Sequence, residues 1–233
     1  MFEYFNSINL IEKRFFQNSK CSSVNFTWFD SINGIESTQK SIQFEKASIL
    51  FNIAALYTQL AAICCDGQDL KLEDQLIYWQ KAAGCLNYLN TNFSNSPSLD
   101  MSAFMLSFFT DVYICQAYEM KTKILLSAVN ANNNSTKYDS KLTFVNYSNC
   151  SRIYSHVSLL NSLRKTSFQI YFIFKISEKY NQISAKLVGN QTYRNYLPEI
   201  WFYLIKVKSL YYKGLSHYYA SLAICANGIG IFI

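Results

Sequence analysis

Glycine and proline are scarce in this 233-residue chain, which has 7 glycines and 2 prolines. Average usage of roughly 7% and 5% would give about 16 and 12. The shortage disfavours turn-rich β-sandwiches and nucleotide-binding folds lined by glycine. Because both residues interrupt helices, we expect long helices to dominate the fold.

Histidine and cysteine do not form a pattern of metal ligands. The two histidines, His156 and His217, cannot build a site of several histidines. The seven cysteines are an odd number without a C-x-x-C pair, which disfavours a disulfide framework and a zinc ribbon. Cys85 and Cys115 lie in apolar runs, so we expect reduced thiols that pack as small hydrophobes in a reducing compartment. The cysteines are Cys21, Cys64, Cys65, Cys85, Cys115, Cys150 and Cys225.

Common catalytic motifs are also missing. The sequence contains no G-x-S-x-G, G-x-x-x-x-G-K-[ST], G-x-G-x-x-G or H-E-x-x-H. Cys150 and His156 lie six residues apart and leave a cysteine-dependent enzyme as a remote alternative. We therefore expect a non-enzymatic protein that needs no cofactor and no metal.

Apolar residues are abundant, but no unbroken run of about 18 of them occurs. The most apolar short stretch, residues 168–174, ends at Lys175. The first 16 residues contain charges that make a poor signal peptide. These features predict a cytoplasmic protein.

Charge is divided unequally along the chain. Residues 1–120 contain 7 basic and 12 acidic side chains, for a net charge of −5, whereas residues 121–233 contain 14 and 3, for +11. A basic half can contact an anionic membrane weakly or bind an acidic partner, and Lys206, Lys208 and Lys213 are the candidate contacts. The alternative is a solvated helix face. The aromatic residues around these lysines fit a helical core better than a nucleic-acid interface.

Apolar periodicity predicts at least four long helices. Residues 41–62 are apolar on almost every side of a helix, which must therefore be enclosed by neighbours. A second helix is predicted over residues 69–93, and a third runs to about Val129 from a cap at Asp100 or Ser102. Pro198 suits the first turn of a last helix that continues to Leu222.

The region between the third and last helices is harder to interpret. Residues 130–140 are polar and low in complexity, which predicts a loop. Residues 141–175 fit a helix or a strand equally well, and helical spacing returns at residues 176–187. The whole pattern predicts an all-α fold, an array of antiparallel helix pairs resembling a tetratricopeptide solenoid.

Several ordered motifs resemble one family, the Bro domains, which includes Alix, rhophilin and the HD-type tyrosine phosphatase. The strongest is the helix FEKASILFNIAALYTQLAA at residues 44–62, and the others are similar to the rhophilin version of the domain. Those others are EKRFF (12–16), TWFDSINGI (27–35), WQKAAGCLNYL (79–89), PSLDMS (97–102), CQAYE (115–119) and LPEIWFYLIKVKSLYYKGLSHYYASLAI (197–224).

The resemblance implies a curved, helical, non-enzymatic domain that binds proteins. We expect residues 1–226 to form one partial Bro domain, with a divergent segment at 130–175 and an irregular tail at 227–233. Such a domain is truncated: we expect it to lack the family's N-terminal strands and last helices. The coiled coil and PDZ domain that flank the rhophilin Bro domain are also absent from the sequence.

The resemblance also suggests partners and a site. In several family members an apolar groove receives an amphipathic helix from the tail of an ESCRT-III subunit, which recruits them to endosomes. Here Asp69 matches an acidic groove position, Glu73 replaces a basic one, and Lys121 stands near Tyr118 where those members have an apolar anchor. These departures favour a rhophilin-like scaffold in Rho GTPase signalling over an ESCRT-III adaptor. An ordinary exposed helix lysine is the alternative interpretation of Lys121.

Overall fold

The protein is described here by a computed structural model that covers residues 1–15, 21–63, 72–93, 98–131 and 161–226. The loop predicted after residue 131 and the tail at 227–233 lie outside these residues. Helices form most of the described chain, as the all-α prediction requires. The elements are α1 (Phe2–Phe15), β1 (Cys21–Phe29), β2 (Glu36–Ser41), α2 (Ile42–Ile63), α3 (Leu72–Asn92), α4 (Ala103–Ala131), α5 (Asn161–Val188), α6 (Gln191–Tyr196) and α7 (Glu199–Ala226).

A β-hairpin between α1 and α2 corrects one expectation. We expected an all-α fold that lacks the family's N-terminal strands, but β1 and β2 lie before the long helix and pair antiparallel, with Trp28 opposite Ser37. Gly34 takes a positive φ of 70° in the connecting turn, a conformation that glycine adopts without strain. Phe26 and Trp28 alternate along β1 and pack against the apolar face of α2, so the hairpin has a buried side.

The enclosed helix predicted over residues 41–62 is α2. Ser41 caps it, since its Oγ accepts the backbone N–H of Phe44 at 3.4 Å. Glu45 is buried, and its carboxylate accepts the Tyr4 hydroxyl at 3.0 Å and the Trp28 indole N–H at 2.6 Å. By length and composition α2 is apolar enough to cross a membrane. However, α1, α3 and the hairpin pack on it, which makes it a core helix of a folded domain.

The long helices form the predicted antiparallel array. Late residues of one helix meet early residues of the next: Tyr57 of α2 stacks on Tyr78 of α3, and Lys186 of α5 pairs with Asp111 of α4. The order of packing is α1, α2, α3, α4, α5 and α7, with α6 in the turn between the last two. The main apolar core runs through α2, α3, α4, α5 and α7.

The first residues of three helices answer questions that the sequence left open. Ser102, not Asp100, caps α4, because its Oγ accepts the N–H of Met105 at 3.4 Å. The ambiguous region is helical from Asn161 onward, where α5 begins. The last long helix begins at Glu199, directly after Pro198, which was predicted to lie in its first turn. The short α6 was not predicted.

Candidate functional site

The four residues suggested as a partner groove are placed differently by the structure. Asp69 lies outside the described residues. Glu73 is exposed in the first turn of α3, whereas Tyr118 and Lys121 are half-buried on α4. Tyr118 and Lys121 lie three residues apart, on neighbouring turns of one face of α4.

Tyr118 and Lys121 meet at the same ring of α5. The Lys121 Nζ lies 5.4 Å from the centroid of the Phe172 ring, and the Tyr118 ring lies 6.2 Å from it. On the other side, the Lys179 Nζ lies 5.8 Å from the centroid of the Tyr118 ring. Ammonium groups at these distances are attracted to the negative face of an aromatic ring. We call Lys121, Phe172, Tyr118 and Lys179 the lysine–aromatic row.

Burial distinguishes the members of this row. Phe172 is buried and forms its base, while Tyr118 and Lys179 are partly exposed. Burial lowers the pKa of Lys121 from its usual value, since a low-dielectric environment disfavours the ammonium form. Lys121 is therefore not the freely exposed lysine of the alternative interpretation.

The surface of α5 beside the row is also aromatic and basic. Tyr171 and Phe174 are both exposed, and the Lys175 Nζ lies 5.6 Å from the centroid of the Tyr171 ring. Lys175 also pairs with Glu178 at 2.6 Å, which raises the pKa of the lysine. Positive charge and apolar surface are thus mixed on this face of α4 and α5.

A buried polar cluster fixes α4, α5 and α7 next to the row. The Glu119 carboxylate accepts the Tyr180 hydroxyl and receives the Lys208 Nζ at 2.8 and 3.0 Å. Burial, with the nearby Glu119 charge, raises the pKa of Tyr180 far above its usual value, so the hydroxyl stays protonated. Lys208 also lies 5.5 Å from the centroid of the Tyr180 ring. We call Glu119, Tyr180 and Lys208 the Glu119 cluster.

The three lysines suggested as membrane or acidic-partner contacts on α7 are not equivalent. Lys206 and Lys213 are exposed, next to exposed apolar residues such as Val207 and Leu210. Lys208 is mostly covered, and its charge is paired within the Glu119 cluster. We therefore assign Lys208 a structural role and keep only Lys206 and Lys213 as candidate contacts.

Cys85 and Cys115 do not resemble catalytic thiols. Cys85 and Cys115 are both free, as predicted for reduced thiols in apolar runs. Burial raises the pKa of Cys115 to about 12 and raises that of Cys85, so both stay in the unreactive thiol form. In the part of the chain that the structure describes, no group of three His, Cys, Asp or Glu side chains is placed to hold a metal. Cys150 and His156 lie outside that part.

Most of the residues that surround Tyr118 and Lys121 were not predicted from the sequence. Phe172, Ile176, Tyr180, Ile183 and Leu187 have helical spacing, which identifies the buried face of α5 once its helix is recognised. Glu119 lies between Tyr118 and Met120 of α4, and a carboxylate that is buried there needs partners. The identity of those partners has no signal in the sequence.

Comparison with known sequences gives one consistent result. The family model of the BRO1-like domain matches residues 1–230. Rhophilin-2-B of Xenopus laevis is 31% identical over 222 residues, which are 95% of this chain and 28% of that protein. Rhophilin-2 of Homo sapiens is 30% identical over 223 residues, covering 94% and 28%. The chain thus spans less than a third of the length of these relatives.

Solved structures agree on the fold. A structure described as the basis for endosomal targeting by the Bro1 domain has a TM-score of 0.73 and 22% identity, covering 97% of this chain and 54% of the other. A complex of the ALIX BRO1 domain with CHMP4C has a TM-score of 0.68 and 18% identity, covering 97% and 56%. Since the family model and the alignments with rhophilins extend over almost the whole chain, the chain belongs to the BRO1-like domain family.

Proposed function

We propose that the chain is a non-enzymatic protein-interaction module of a rhophilin-like scaffold in Rho GTPase signalling, and that it binds partners through the lysine–aromatic row. The similarity to rhophilins over 95% of the chain supports the scaffold role. The observation that carries the proposal is the row itself, which combines the ammonium groups of Lys121 and Lys179 with the Tyr118 ring on one partly exposed surface.

The row favours an acidic partner over an apolar one. Pressing an apolar anchor onto Lys121 would further dehydrate an ammonium group that is already partly buried, which is costly. A helix that carries carboxylates above Lys121 and Lys179, and an apolar residue above Tyr118, gives each group a suitable neighbour. We therefore propose an acidic amphipathic helix as the partner element.

Peptide binding tests this proposal. Fluorescence anisotropy with a labelled acidic amphipathic helix should show salt-sensitive binding to the wild-type chain. Lys179→Glu should weaken it about tenfold, since it places a like charge opposite the peptide. Lys206→Glu is the matched control, because it makes the same charge change on the exposed face of α7, and it should leave binding unchanged. Equal effects of the two variants would contradict a site on the row.

The runner-up is an ESCRT-III adaptor recruited to endosomes. It is supported by the fold shared with the ALIX BRO1 domain, which was solved in complex with CHMP4C. We expect a tail peptide from an ESCRT-III subunit to bind the wild-type chain more weakly than about 100 μM, and Lys121→Leu to tighten that binding by about tenfold. Micromolar binding by the wild-type chain would reverse the ranking.

A second candidate role is weak contact with an anionic membrane through α7. Lys206 and Lys213 are exposed near the exposed side chains of Val207, Leu210 and Tyr211, a mixture that suits the membrane interface. Association with phosphatidylserine vesicles should fall steeply between low and high salt, because charges are screened within about 10 Å at 0.1 M. Vesicle binding that does not change with salt would contradict this role. So would unchanged binding by the double variant that carries Lys206→Glu and Lys213→Glu.

A further inference from the structure

Two buried carboxylates meet where the β-hairpin turn touches the start of α4. Asp30 follows β1 and Asp100 precedes α4, and their residues are only 5% and 3% exposed. The backbone N–H of Ser31 donates to the Asp100 Oδ2 at 2.8 Å, and the N–H of Asp100 donates to the Asp30 Oδ2 at 3.3 Å. The two segments, 70 residues apart in sequence, are thus joined through both carboxylates.

Asp30 has all the donors that an ionised carboxylate needs. Its Oδ1 accepts the Tyr196 hydroxyl at 2.6 Å and the N–H groups of Ile32 and Asn33 at 3.0 and 3.1 Å. Burial alone would raise its pKa, but the hydrogen bonds, that from Tyr196 foremost, hold the pKa below its ordinary value. Asp30 is therefore an anion at neutral pH.

Asp100 is incompletely satisfied. Its Oδ1 is buried and has no hydrogen-bond partner among the residues that the structure describes, while its Oδ2 has the Ser31 N–H. A buried polar atom without a partner loses its hydration and gains nothing in return, so such atoms are rare in folded proteins. The Oδ1 of Asp100 is therefore an acceptor with capacity for a further donor.

A cavity of about 230 Å³ is lined by both Asp30 and Asp100. Of its other lining residues, five are aromatic or apolar and five are serine or asparagine, and of the described residues that line it none is basic. The apolar walls include Trp28, Phe44, Phe51 and Met101. The volume is several times the roughly 30 Å³ that a water molecule occupies in the liquid, so the cavity admits a group larger than water.

These features select one class of ligand. A divalent cation prefers six or more oxygen ligands and gains nothing from aromatic walls. An organic cation uses both features, because carboxylates accept its N–H groups and ring faces attract its charge. We propose that this acidic cavity binds an ammonium or guanidinium group, supplied by a lysine or arginine side chain of a partner or by a small organic cation.

Amide NMR on the ¹⁵N-labelled full chain tests the proposal directly. The Ser31 N–H reports on Asp100, since it donates to the carboxylate. N-acetyl-arginine amide should shift this resonance saturably, and N-acetyl-citrulline amide, which is neutral and of similar shape, should not. If the peptide Gly-Arg-Gly binds more tightly than N-acetyl-arginine amide, the cation is supplied by a side chain of a partner. If the amide binds more tightly, the ligand is a small organic cation. Saturation by calcium chloride alone would overturn the assignment to an organic cation.

Variants separate the cavity from the fold. Asp100→Asn removes the charge at nearly constant shape and should weaken binding at least tenfold, whereas Asp111→Asn, at the exposed pair with Lys186, should not change it. Ser37→Lys gives a second variant, since Ser37 lines the cavity and a lysine there supplies an internal ammonium group that should exclude the ligand. Undiminished binding by either folded variant, or no Ser31 shift in the wild-type chain, would refute the site.

Discussion

Glu119 and Asp100 are both buried carboxylates of the α4 region, but among the described residues only Glu119 is paired with a cation. Glu119 receives Lys208 and the Tyr180 hydroxyl, from α7 and α5. Asp100 has one backbone donor, a neighbouring carboxylate and an orphaned oxygen beside a cavity. The residues are almost equally buried, at 5% and 3% exposure. Burial of a charge therefore does not by itself identify its role.

The two carboxylates differ in how many of their hydrogen-bond donors the chain itself supplies. A carboxylate whose donors all come from the chain stabilises the arrangement of helices and leaves little for a ligand to gain. A carboxylate that lacks a donor is destabilising in the free protein, and a ligand that supplies the donor recovers that free energy on binding. We expect the Glu119 cluster to behave as structure and the acidic cavity as a binding site.

Removal of the Lys208 ammonium group should have the largest effect on the free energy of unfolding. Lys208→Met leaves Glu119 buried without its ion-pair partner and should lower the free energy of unfolding by about 3 kcal/mol. Urea denaturation followed by circular dichroism measures the loss. Lys206→Met, an exposed position on the same helix, is the matched control and should change stability by less than about 0.5 kcal/mol. Equal effects at the two positions would show that Glu119 does not depend on Lys208.

Removal of one hydroxyl from the same cluster should have a smaller effect. Tyr180→Phe deletes the donor to Glu119 and should cost about 2 kcal/mol, the usual worth of a buried hydrogen bond to a charged group. Tyr203→Phe deletes a hydroxyl that donates to the exposed Glu199 and should cost almost nothing. Thermal and urea unfolding of the two variants check this difference. A loss for Tyr203→Phe as large as that for Tyr180→Phe would contradict the special role of burial.

The stability that Asp30 contributes should depend on pH. Its folded pKa is lowered, so its contribution to stability is complete above its ordinary pKa of 3.8 and is lost as pH falls through the folded value. Tyr196→Phe removes a donor and should cost about 1.5 kcal/mol at pH 7, and less toward about pH 2.5. Tyr193→Phe is the control, since that hydroxyl bonds the neutral Ser102. A cost for Tyr196→Phe that does not depend on pH would contradict this account.

Much of the helical array could be predicted from local sequence. The helices α2, α3 and α7 lie close to their predicted bounds because their apolar residues recur at helical spacing and Pro198 marks the start of α7. The first half of α5 could not be assigned, since its aromatic and β-branched run, FQIYFIF, suits either structure. The hairpin was missed although Asn33-Gly34, a common turn pair, lies between its strands.

The candidate sites could be predicted only in part. The resemblance to Bro domains identified Tyr118 and Lys121 but not the Phe172 ring that joins them, which lies in the region without a clear period. Lys208 could not be distinguished from Lys206 and Lys213, because its partner Glu119 is 89 residues away in sequence. The pair of Asp30 and Asp100 likewise depends on a contact between distant segments, for which one sequence carries no signal.

The smallest expected change in stability is a gain instead of a loss. It tests most directly the comparison between Glu119 and Asp100. Asp100→Asn keeps an oxygen for the Ser31 N–H but removes the charge of the orphaned Oδ1, so stability should be unchanged or should rise by up to about 1 kcal/mol. Asp30→Asn is the matched control: it loses the charge that three N–H groups and the Tyr196 hydroxyl surround, and it should cost about 2 kcal/mol. Urea unfolding in buffer free of organic cations measures both. A comparable loss in both variants would mean that Asp100 is satisfied like Glu119, and the acidic cavity would then have no missing donor for a ligand to supply.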